Sequence, residues 1–213
     1  MKHETDERVS TESSLREIYD HPSDQAVAKQ LDRLDRYCQQ FIGLSPFVLL
    51  ATTDTQGRID ASPRGDKPGF VQCVDDRTLH LPDRRGNNRL DSLANIVETE
   101  NVGLLFMIPG FMECLRVNGT AHISQDTDAL KRAKVQGNTP TSVIIIRVEE
   151  AFFQCGKALV RSRLWEPDAK INRDLMPGLG RIITEQTSGQ PVRDSEADSA
   201  DNLINDSYRN QLY

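Results

Sequence analysis

The chain has 213 residues, of which 37% are hydrophobic, so it has room for one barrel-sized domain with a single core and solvated terminal segments. Its 32 acidic residues outnumber its 26 basic residues, and the net charge of −6 excludes a general nucleic-acid-binding surface. No apolar run is as long as a membrane span, which needs about 18 residues, and residues 1–7 lack the apolar core of a signal peptide. The sequence therefore predicts a cytoplasmic protein with neither a membrane nor a nucleic-acid partner.

Cysteine and histidine spacings indicate no metal site. The four cysteines form no Cys-x-x-Cys pair, which favours reduced, buried thiols over a zinc site or a disulfide framework; they lie at positions 38, 73, 114 and 155. The four histidines are too scattered to form a metal set, and no Ser/His/Asp arrangement is indicated. We expect His80 and His122, which lie in predicted strands, to be structural.

Residues 1–45 are predicted to be an N-terminal helical segment. A Ser-Asp pair suited to helix capping begins at Ser23, and apolar residues then recur at spacings of three and four. The recurring residues are Val27, Leu31, Leu34, Cys38 and Phe41. This pattern predicts one amphipathic helix over residues 23–41.

From residue 46 the pattern changes to short β-branched and apolar runs, which predict seven strands. The runs cover residues 47–53, 58–62, 70–74, 78–81, 102–108, 114–123 and 143–153. Turn-type residues at 54–57 and 74–77 predict hairpins between neighbouring strands. Seven strands without regular intervening helices are typical of an antiparallel sheet or barrel, so residues 46–165 are predicted to form the main domain.

Helices are predicted to interrupt and follow these strands. Residues 88–99 and 126–135 read as helices that cover the barrel ends, and residues 156–165 read as a short basic helix or turn. Residues 166–213 are predicted to form a partly flexible C-terminal arm. Because residues 185–202 contain almost no large apolar side chains, we expect a mobile stretch there, with a helix over about the last dozen residues.

Two polar segments are candidates for ligand binding. The first combines a hydroxyl, two cations and residues that allow close backbone approach: Ser62, Pro63, Arg64, Gly65, Asp66 and Lys67. A solvated turn and a binding loop are about equally consistent with this composition. The second ends a strand and opens a helix, where backbone N–H groups favour an anion: Leu81, Pro82, Asp83, Arg84, Asn87, Asn88 and Arg89. Helix capping by Asn87 or Asn88 is compatible with that role.

These hydroxyl, amide and cationic donors suit a phosphate-bearing ligand better than a metal or a duplex. Arg116 shares its strand face with Cys114 and Asn118, so it is either a charge that protects an edge strand or a ligand contact. Trp165 is the only tryptophan, and core or dimer packing is the common role for so large a ring.

With these residues identified, the chain resembles the pyridoxamine 5′-phosphate oxidase-related FMN-binding split-barrel proteins over residues 46–165. Within them it looks like a branch of predicted flavin-dependent proteins of unassigned substrate. The resemblance rests on the Ala-Thr-Thr-Asp-Thr-Gln-Gly-Arg hairpin at 51–58, the Val-Gly-Leu-Leu-Phe strand at 102–106 and the two polar segments. It implies a mainly β (α+β) fold, an antiparallel split β-barrel with peripheral helices, and a homodimer with FMN at the subunit interface.

The resemblance also implies where FMN is bound. The contacting loop falls on residues 62–67, the next strand end on Leu81 and Pro82, the phosphate-binding helix start on residues 87–89, and a glutamine contact of the oxidase on Cys114. Lys157, Arg161 and Trp165 are placed near the cofactor, from the partner chain. The candidate set also includes three residues whose charged side chains suit ligand binding: Asp83, Arg84 and Arg116.

Two departures from the oxidase count against its substrate more than against its cofactor. Asn88 stands where the oxidase has an arginine, and the Arg-x-His that contacts the pyridoxal substrate has no counterpart, since no histidine follows His122. The resemblance therefore predicts an FMN-dependent oxidoreductase but not vitamin B6 oxidation. A non-catalytic or sensing flavoprotein, or a split barrel that uses deazaflavin or haem, is the alternative, and the scarcity of histidine counts against haem.

Overall fold

Residues 8–213, the part of the chain that the computed structural model describes, form seven strands and eight α-helices. The strands are β1 (Phe47–Thr53), β2 (Ile59–Gly65), β3 (Gln72–Cys73), β4 (Thr78–Asp83), β5 (Asn101–Met107), β6 (Cys114–Ser124) and β7 (Ser142–Gln154). The helices are α1 (Glu12–Ile18), α2 (Asp24–Ala28), α3 (Arg36–Leu44), α4 (Asp91–Thr99), α5 (Thr127–Arg132), α6 (Lys157–Ser162), α7 (Leu179–Ser188) and α8 (Asp194–Asn210). Short 3-10 helices lie at Pro167–Ala169 and Arg173–Leu175. The first seven residues, on which the signal-peptide prediction rests, lie outside the described residues.

All strands belong to one antiparallel sheet of order β2-β1-β5-β6-β7-β4-β3. The predicted hairpins are confirmed, because β1 pairs with β2 and β3 pairs with β4. The pairs β1–β5 and β4–β7 join strands that are distant in sequence and set the order of the sheet. In the described chain, no helix is long and apolar enough to cross a membrane.

The sheet curls until its two ends approach each other, and side chains span the remaining gap. Strand β2 lies at one end of the sheet and β4 lies next to the other end, yet Arg64 of β2 is 2.8 Å from Asp83 of β4. We call this gap between β2 and the end of β4 the split. The antiparallel sheet with one open seam and peripheral helices confirms the predicted fold class, a mainly β split barrel.

The core lies inside the curled sheet because alternate residues of each strand point inward. In β1, Val48 and Leu50 are fully buried, while the residues between them are half-buried on the outer side. Helix α3 closes the core with Phe41 and Ile42. Each large aliphatic side chain that is fully buried in this way contributes roughly 1.5–3 kcal/mol to the free energy of unfolding.

The single helix predicted for residues 23–41 is wrong. The segment contains α2 and α3, separated by a stretch in which Leu31 exchanges backbone hydrogen bonds with Ala151 of β7. Asp35 then caps α3, because its carboxylate accepts hydrogen bonds from the N–H groups of Tyr37 and Cys38. Val27, which the pattern assigned to the apolar face, is 57% exposed.

The mobile arm predicted for residues 185–202 is replaced by a helical hairpin of α7 and α8. Gly180 allows the two helices to approach closely, because a Cβ at this position would lie 2.4 Å from the backbone nitrogen of Asp201. The Gly180 N–H donates to the Asp201 carboxylate at 2.6 Å. The hairpin therefore forms through close backbone contact and needs few large apolar side chains.

The cysteines are free, but only Cys38 is buried as predicted, and Cys73 is half-buried. Burial, followed by the neighbouring Asp35, raises the pKa of the Cys38 thiol to about 12, and burial raises that of Cys73 to about 11. Cys114 is half-buried. Cys155 is exposed, so the prediction is wrong for that residue.

His80 of β4 is buried, and its Nδ1 atom has no hydrogen-bond partner. Burial, and then the charge of Arg132, lower the pKa of His80. Because the folded-state pKa lies below the unfolded value of about 6.5, unfolding takes up a proton as the pH falls below that value. Stability linked to His80 is therefore present above about pH 6.5 and is lost as the pH falls through the folded-state pKa.

We expect His80→Leu to reduce the loss of stability between pH 7.5 and pH 5. Urea unfolding of native and variant protein at both pH values measures this loss. His21→Leu is the control, because His21 is an exposed histidine in the segment before α2. An equal acid-induced loss in the native protein and in His80→Leu would contradict this account.

Candidate functional site

Edge strand β2 presents its polar side chains to the split. Its half-buried residues Asp60, Ser62 and Arg64 alternate with exposed ones, as the period of a strand requires. They are paired in register with buried residues of β1, so they point toward the interior side of the sheet. The interior side at this edge is therefore polar, unlike the rest of the barrel.

A network of hydrogen bonds joins β2 to β4 and to α4. The Arg64 guanidinium donates to the Asp83 carboxylate at 2.8 Å and to the hydroxyls of Ser92 and Ser62 at 3.3 and 3.2 Å. Ser92, in the first turn of α4, donates in turn to Asp60 at 2.5 Å. Since Arg64 and Asp83 are both largely buried, this ion pair is shielded from water and holds the two sides of the split together.

A second ion pair also crosses the split, but its arginine follows β4 and its carboxylate follows β2. Arg84 donates to the Asp66 carboxylate at 2.8 Å and to the carbonyl oxygen of Ala133 at 2.7 Å. The side chain of Asp66 is only 2% exposed, and it also accepts hydrogen bonds from the Lys67 amide and the Tyr213 hydroxyl, both at 2.7 Å. Burial by itself raises the pKa of Asp66, but these donors and the charge of Arg84 together lower it.

The segment that enters α4 carries exposed donors. The helix begins at Asp91 rather than at the predicted Asn88, and no side chain caps it, so the predicted capping by Asn87 or Asn88 is wrong. Asn87 instead accepts a hydrogen bond from the Arg89 amide, and Asn88 and Leu90 adopt left-handed backbone conformations. Arg89 is exposed, and its guanidinium lies 2.8 Å from the carboxylate of Asp91.

The structure thus brings the two polar segments of the sequence together. Residues 62–67 lie on one side of the split and residues 83–89 lie on the other, with two ion pairs between them. Leu81 and Pro82, the two residues before Asp83 in β4, are buried on opposite faces of the sheet. Pro63 and Gly65 are exposed on the outer side of β2.

Arg116 and Cys114 lie on the other face of the sheet. Arg116 pairs with Leu105, which shares its side of the sheet with Leu49 and Pro63, whereas Arg64 points to the opposite side. The Arg116 guanidinium lies 5.6 Å from the centre of the Phe152 ring. Burial, and then the charge of Glu113, raise the pKa of Cys114, so that thiol stays protonated near neutral pH.

The candidate residues of the basic segment 157–165 make no polar contact with the split within the described part of one copy of the chain. Lys157 and Arg161 are exposed on α6, and Trp165 donates its indole N–H to the Phe111 carbonyl at 2.8 Å. Within residues 8–213, none of the three forms a hydrogen bond or ion pair with residues 62–67 or 83–89. One copy of the chain therefore does not gather all the predicted site residues.

A shallow cleft of about 170 Å³ adjoins the second ion pair. Three cationic residues line it, Lys67, Arg84 and Arg132, and Asp66 supplies one carboxylate. Since that carboxylate is already neutralised by Arg84, the remaining charges favour an anion. A larger cleft of about 370 Å³ lies outside the sheet near His122 and Arg147 and contains none of the predicted site residues.

Sequence reasoning missed several residues of the site. Asp60 and Ser92 complete the Arg64 network, and the Ala133 carbonyl and Tyr213 complete the Arg84 network. The position of Ser92 in the first turn of a helix was a usable signal, because side chains there lie beside the anion-favouring helix end. Tyr213 lies 147 residues from Asp66, and no local pattern links the two.

Comparison with known proteins identifies the family. Residues 34–155 match the family described as pyridoxamine 5′-phosphate oxidase, which is more than half of the chain, and the chain belongs to that family. The matched range contains the whole sheet and both sides of the split, whereas α6, α7 and α8 follow it. No curated protein shows a significant match to this sequence.

Solved structures of similar shape cover little more than the barrel. HupZ of Group A Streptococcus is 21% identical, over 57% of this chain and 94% of that chain, with a TM-score of 0.48. A candidate pyridoxamine 5′-phosphate oxidase from Lactobacillus delbrueckii is 25% identical, over 58% and 98% of the two chains, with a TM-score of 0.45. An FMN-binding protein from Syntrophomonas wolfei is 13% identical, over 54% and 82%, with a TM-score of 0.43.

Proposed function

We propose that this protein is an FMN-binding oxidoreductase that transfers a hydride or electrons between a flavin and a small molecule other than pyridoxamine 5′-phosphate. The observation that carries the proposal is the meeting of residues 62–67 and 83–89 at the split of a barrel of this family. The cationic cleft beside the split, with Lys67 and Arg132, favours a substrate with an anionic group.

The donors present fit the phosphate of FMN. Lys67 and Arg89 are exposed cations on the two sides of the split, and α4 begins without a side-chain cap, which leaves backbone N–H groups for an anion. The Arg89–Asp91 pair is exposed and contributes little, so a phosphate group can replace that carboxylate. We assign to Arg64 and Arg84, which are bound to carboxylates, the role of holding the two loops in place.

When bound, FMN supplies the hydride or electron transfer itself, so no side chain has to act as a nucleophile. The residues of the chain bind the phosphate, hold the loops and exclude water from the split. This division of roles is consistent with Cys114, which stays protonated on the far side of the sheet.

We further propose a homodimer with FMN at the subunit interface. The outer face of β1, β2 and β5 is apolar and incompletely covered: Ile59 is 80% exposed, and Leu49, Pro63 and Leu105 lie on the same side. A second copy of this face would bury it. Cys114 and Arg116 lie on this side of the sheet. We assign Lys157, Arg161 and Trp165, which make no polar contact with the split among the described residues of their own chain, to contacts with the cofactor of the partner subunit.

The first test is the content of the purified protein. We expect a yellow, dimeric protein that releases FMN on heating, with the ligand identified by chromatography and the mass by sedimentation. Anaerobic titration with NADH and NADPH then tests catalysis, since bleaching of the flavin shows electron transfer. Recovery of only haem or deazaflavin, or of no ligand after reconstitution, would overturn the assignment of FMN. A flavin that no donor reduces would favour a non-catalytic or sensing role.

Arg89→Ala is expected to weaken FMN binding, because a charge-assisted contact to the phosphate is worth roughly 1.5–3 kcal/mol. The affinity for riboflavin, which has no phosphate, should not change. Arg85→Ala is the matched control, an exposed arginine of the same loop. Fluorescence titration with both ligands measures the effect, and an equal loss for FMN and riboflavin would show that Arg89 does not contact the phosphate.

A further inference from the structure

The arm, residues 166–213, returns to the split through one aromatic residue. It leaves the barrel at Trp165, forms α7 and α8, and ends its course with Tyr213 against the second ion pair. The Tyr213 hydroxyl donates to Asp66 at 2.7 Å, and the Arg84 guanidinium lies 5.7 Å from the centre of the Tyr213 ring. Tyr213 therefore contacts both members of the ion pair that joins the two loops.

The rest of the hairpin packs mainly on itself. Gly180 and Asp201 join α7 to α8, and no residue of either helix belongs to the hydrophobic core of the sheet in the described part of the chain. Large apolar side chains of the arm stay in solvent, among them Leu203, which is 74% exposed. With so little burial against the barrel, the Tyr213 contact is the attachment on which the position of the arm depends.

The hydrogen bond between Tyr213 and Asp66 also helps to hold the loop at residues 66–67 in place. Asp66 is buried, and Tyr213 supplies one of the three groups that satisfy its carboxylate, beside Arg84 and the Lys67 amide. When the Tyr213 hydroxyl leaves, the Oδ1 atom of Asp66 keeps only the Lys67 amide as its donor, and water has to enter beside the loop to replace the lost hydrogen bond. Movement of the arm and movement of residues 66–67 are thereby coupled.

We propose that the arm is a latch on the ligand site: Tyr213 is a positioning residue that, when docked on Asp66 and Arg84, holds the two loops of the split closed. Released, the arm lets the two loops separate, which widens the cleft lined by Lys67 and Arg84 and admits ligand. The latch lies outside the part of the chain that matches the family. Its effect on ligand entry rests on the proposed flavin site, whereas the coupling of arm and loop does not.

The coupling is tested on the ligand-free protein by hydrogen exchange. Tyr213→Ala removes both contacts, and Tyr213→Phe removes only the hydroxyl. We expect exchange in residues 62–70 to accelerate about tenfold in Tyr213→Ala, the factor that corresponds to one hydrogen bond to a charged group. Tyr208→Ala, which changes an exposed tyrosine of α8, should leave residues 62–70 unchanged. Unchanged exchange in Tyr213→Ala would overturn the latch.

Ligand entry is tested by stopped-flow mixing with FMN. Faster association with Tyr213→Ala than with the native protein or Tyr208→Ala supports the latch. Faster loop exchange with an unchanged association rate would show that the arm stiffens the loop without controlling entry, which overturns that part of the inference. If no variant binds FMN, the proposed function fails, and hydrogen exchange alone decides whether the latch exists.

Discussion

Arg84→Met is expected to lower the free energy of unfolding by about 3 kcal/mol or more at pH 7, because it leaves the buried carboxylate of Asp66 without its counter-ion. The side chain of Asp66 is 2% exposed, so water does not replace the lost charge unless the loop opens. Methionine keeps a similar side-chain volume, which limits the effect of a cavity. Chemical unfolding of native and variant protein measures the difference.

The matched control for Arg84→Met is Arg85→Met, which changes the next, exposed residue and should alter stability little. Adding Asp66→Asn to Arg84→Met should restore part of the loss, because no buried charge remains. In the native protein the lowered pKa of Asp66 contributes stability above the unfolded value of about 3.9, and this is lost as the pH falls through the folded-state pKa. The effect of Arg84→Met should therefore shrink below about pH 4, and equal losses in Arg84→Met and Arg85→Met would contradict the ion-pair account.

Gly119→Ala is expected to be at least as damaging, with a loss of about 3 kcal/mol or more or a failure to fold. The added Cβ would lie 1.9 Å from the carbonyl oxygen of Arg147, a backbone atom of the neighbouring strand. Gly119 adjoins an irregularity in the pairing of β6 with β7, where the register shifts by one residue. The backbones of β6 and β7 would have to separate, and these are the two longest strands in the described chain.

Gly103→Ala provides the control for Gly119→Ala on the adjacent strand β5. There the nearest atom to an added Cβ is the side-chain oxygen of Asn118, at 3.3 Å, and a side chain moves aside more easily than a backbone. Urea unfolding followed by circular dichroism compares the two variants. Similar unfolding midpoints for both would show that the sheet accommodates a methyl group at Gly119.

The strands could be predicted from the sequence because their signal is local. A run of apolar and β-branched residues places β1 at Phe47–Thr53 as predicted, and the other strands fall within two residues of the expected starts. The helix at residues 23–41 could not be predicted correctly, because periodicity does not reveal that Leu31 pairs with Ala151 of β7. The hairpin of α7 and α8 was missed because it depends on Gly180 rather than on apolar burial.

The candidate site could be predicted only in part, for a related reason. Residue types and turn chemistry mark residues 62–67 and 83–89 as donor-rich, and the structure brings those segments together. The sequence does not show that Arg64 and Arg84 are bound to Asp83 and Asp66, since each partner comes from the other side of the split. Whether Arg116, Lys157, Arg161 and Trp165 reach a cofactor depends on a second chain and stays a prediction.

The sequence by itself determined the strand pattern, the donor-rich segments and the family, because these depend on neighbours along the chain. Only the tertiary structure decided which donors face one another, that Arg116 lies on the opposite side of the sheet from Arg64, and that Tyr213 docks on Asp66. The physical reason is that ion pairs and hydrogen bonds form between atoms a few ångströms apart, whereas the residues that carry them lie as far as 147 positions apart.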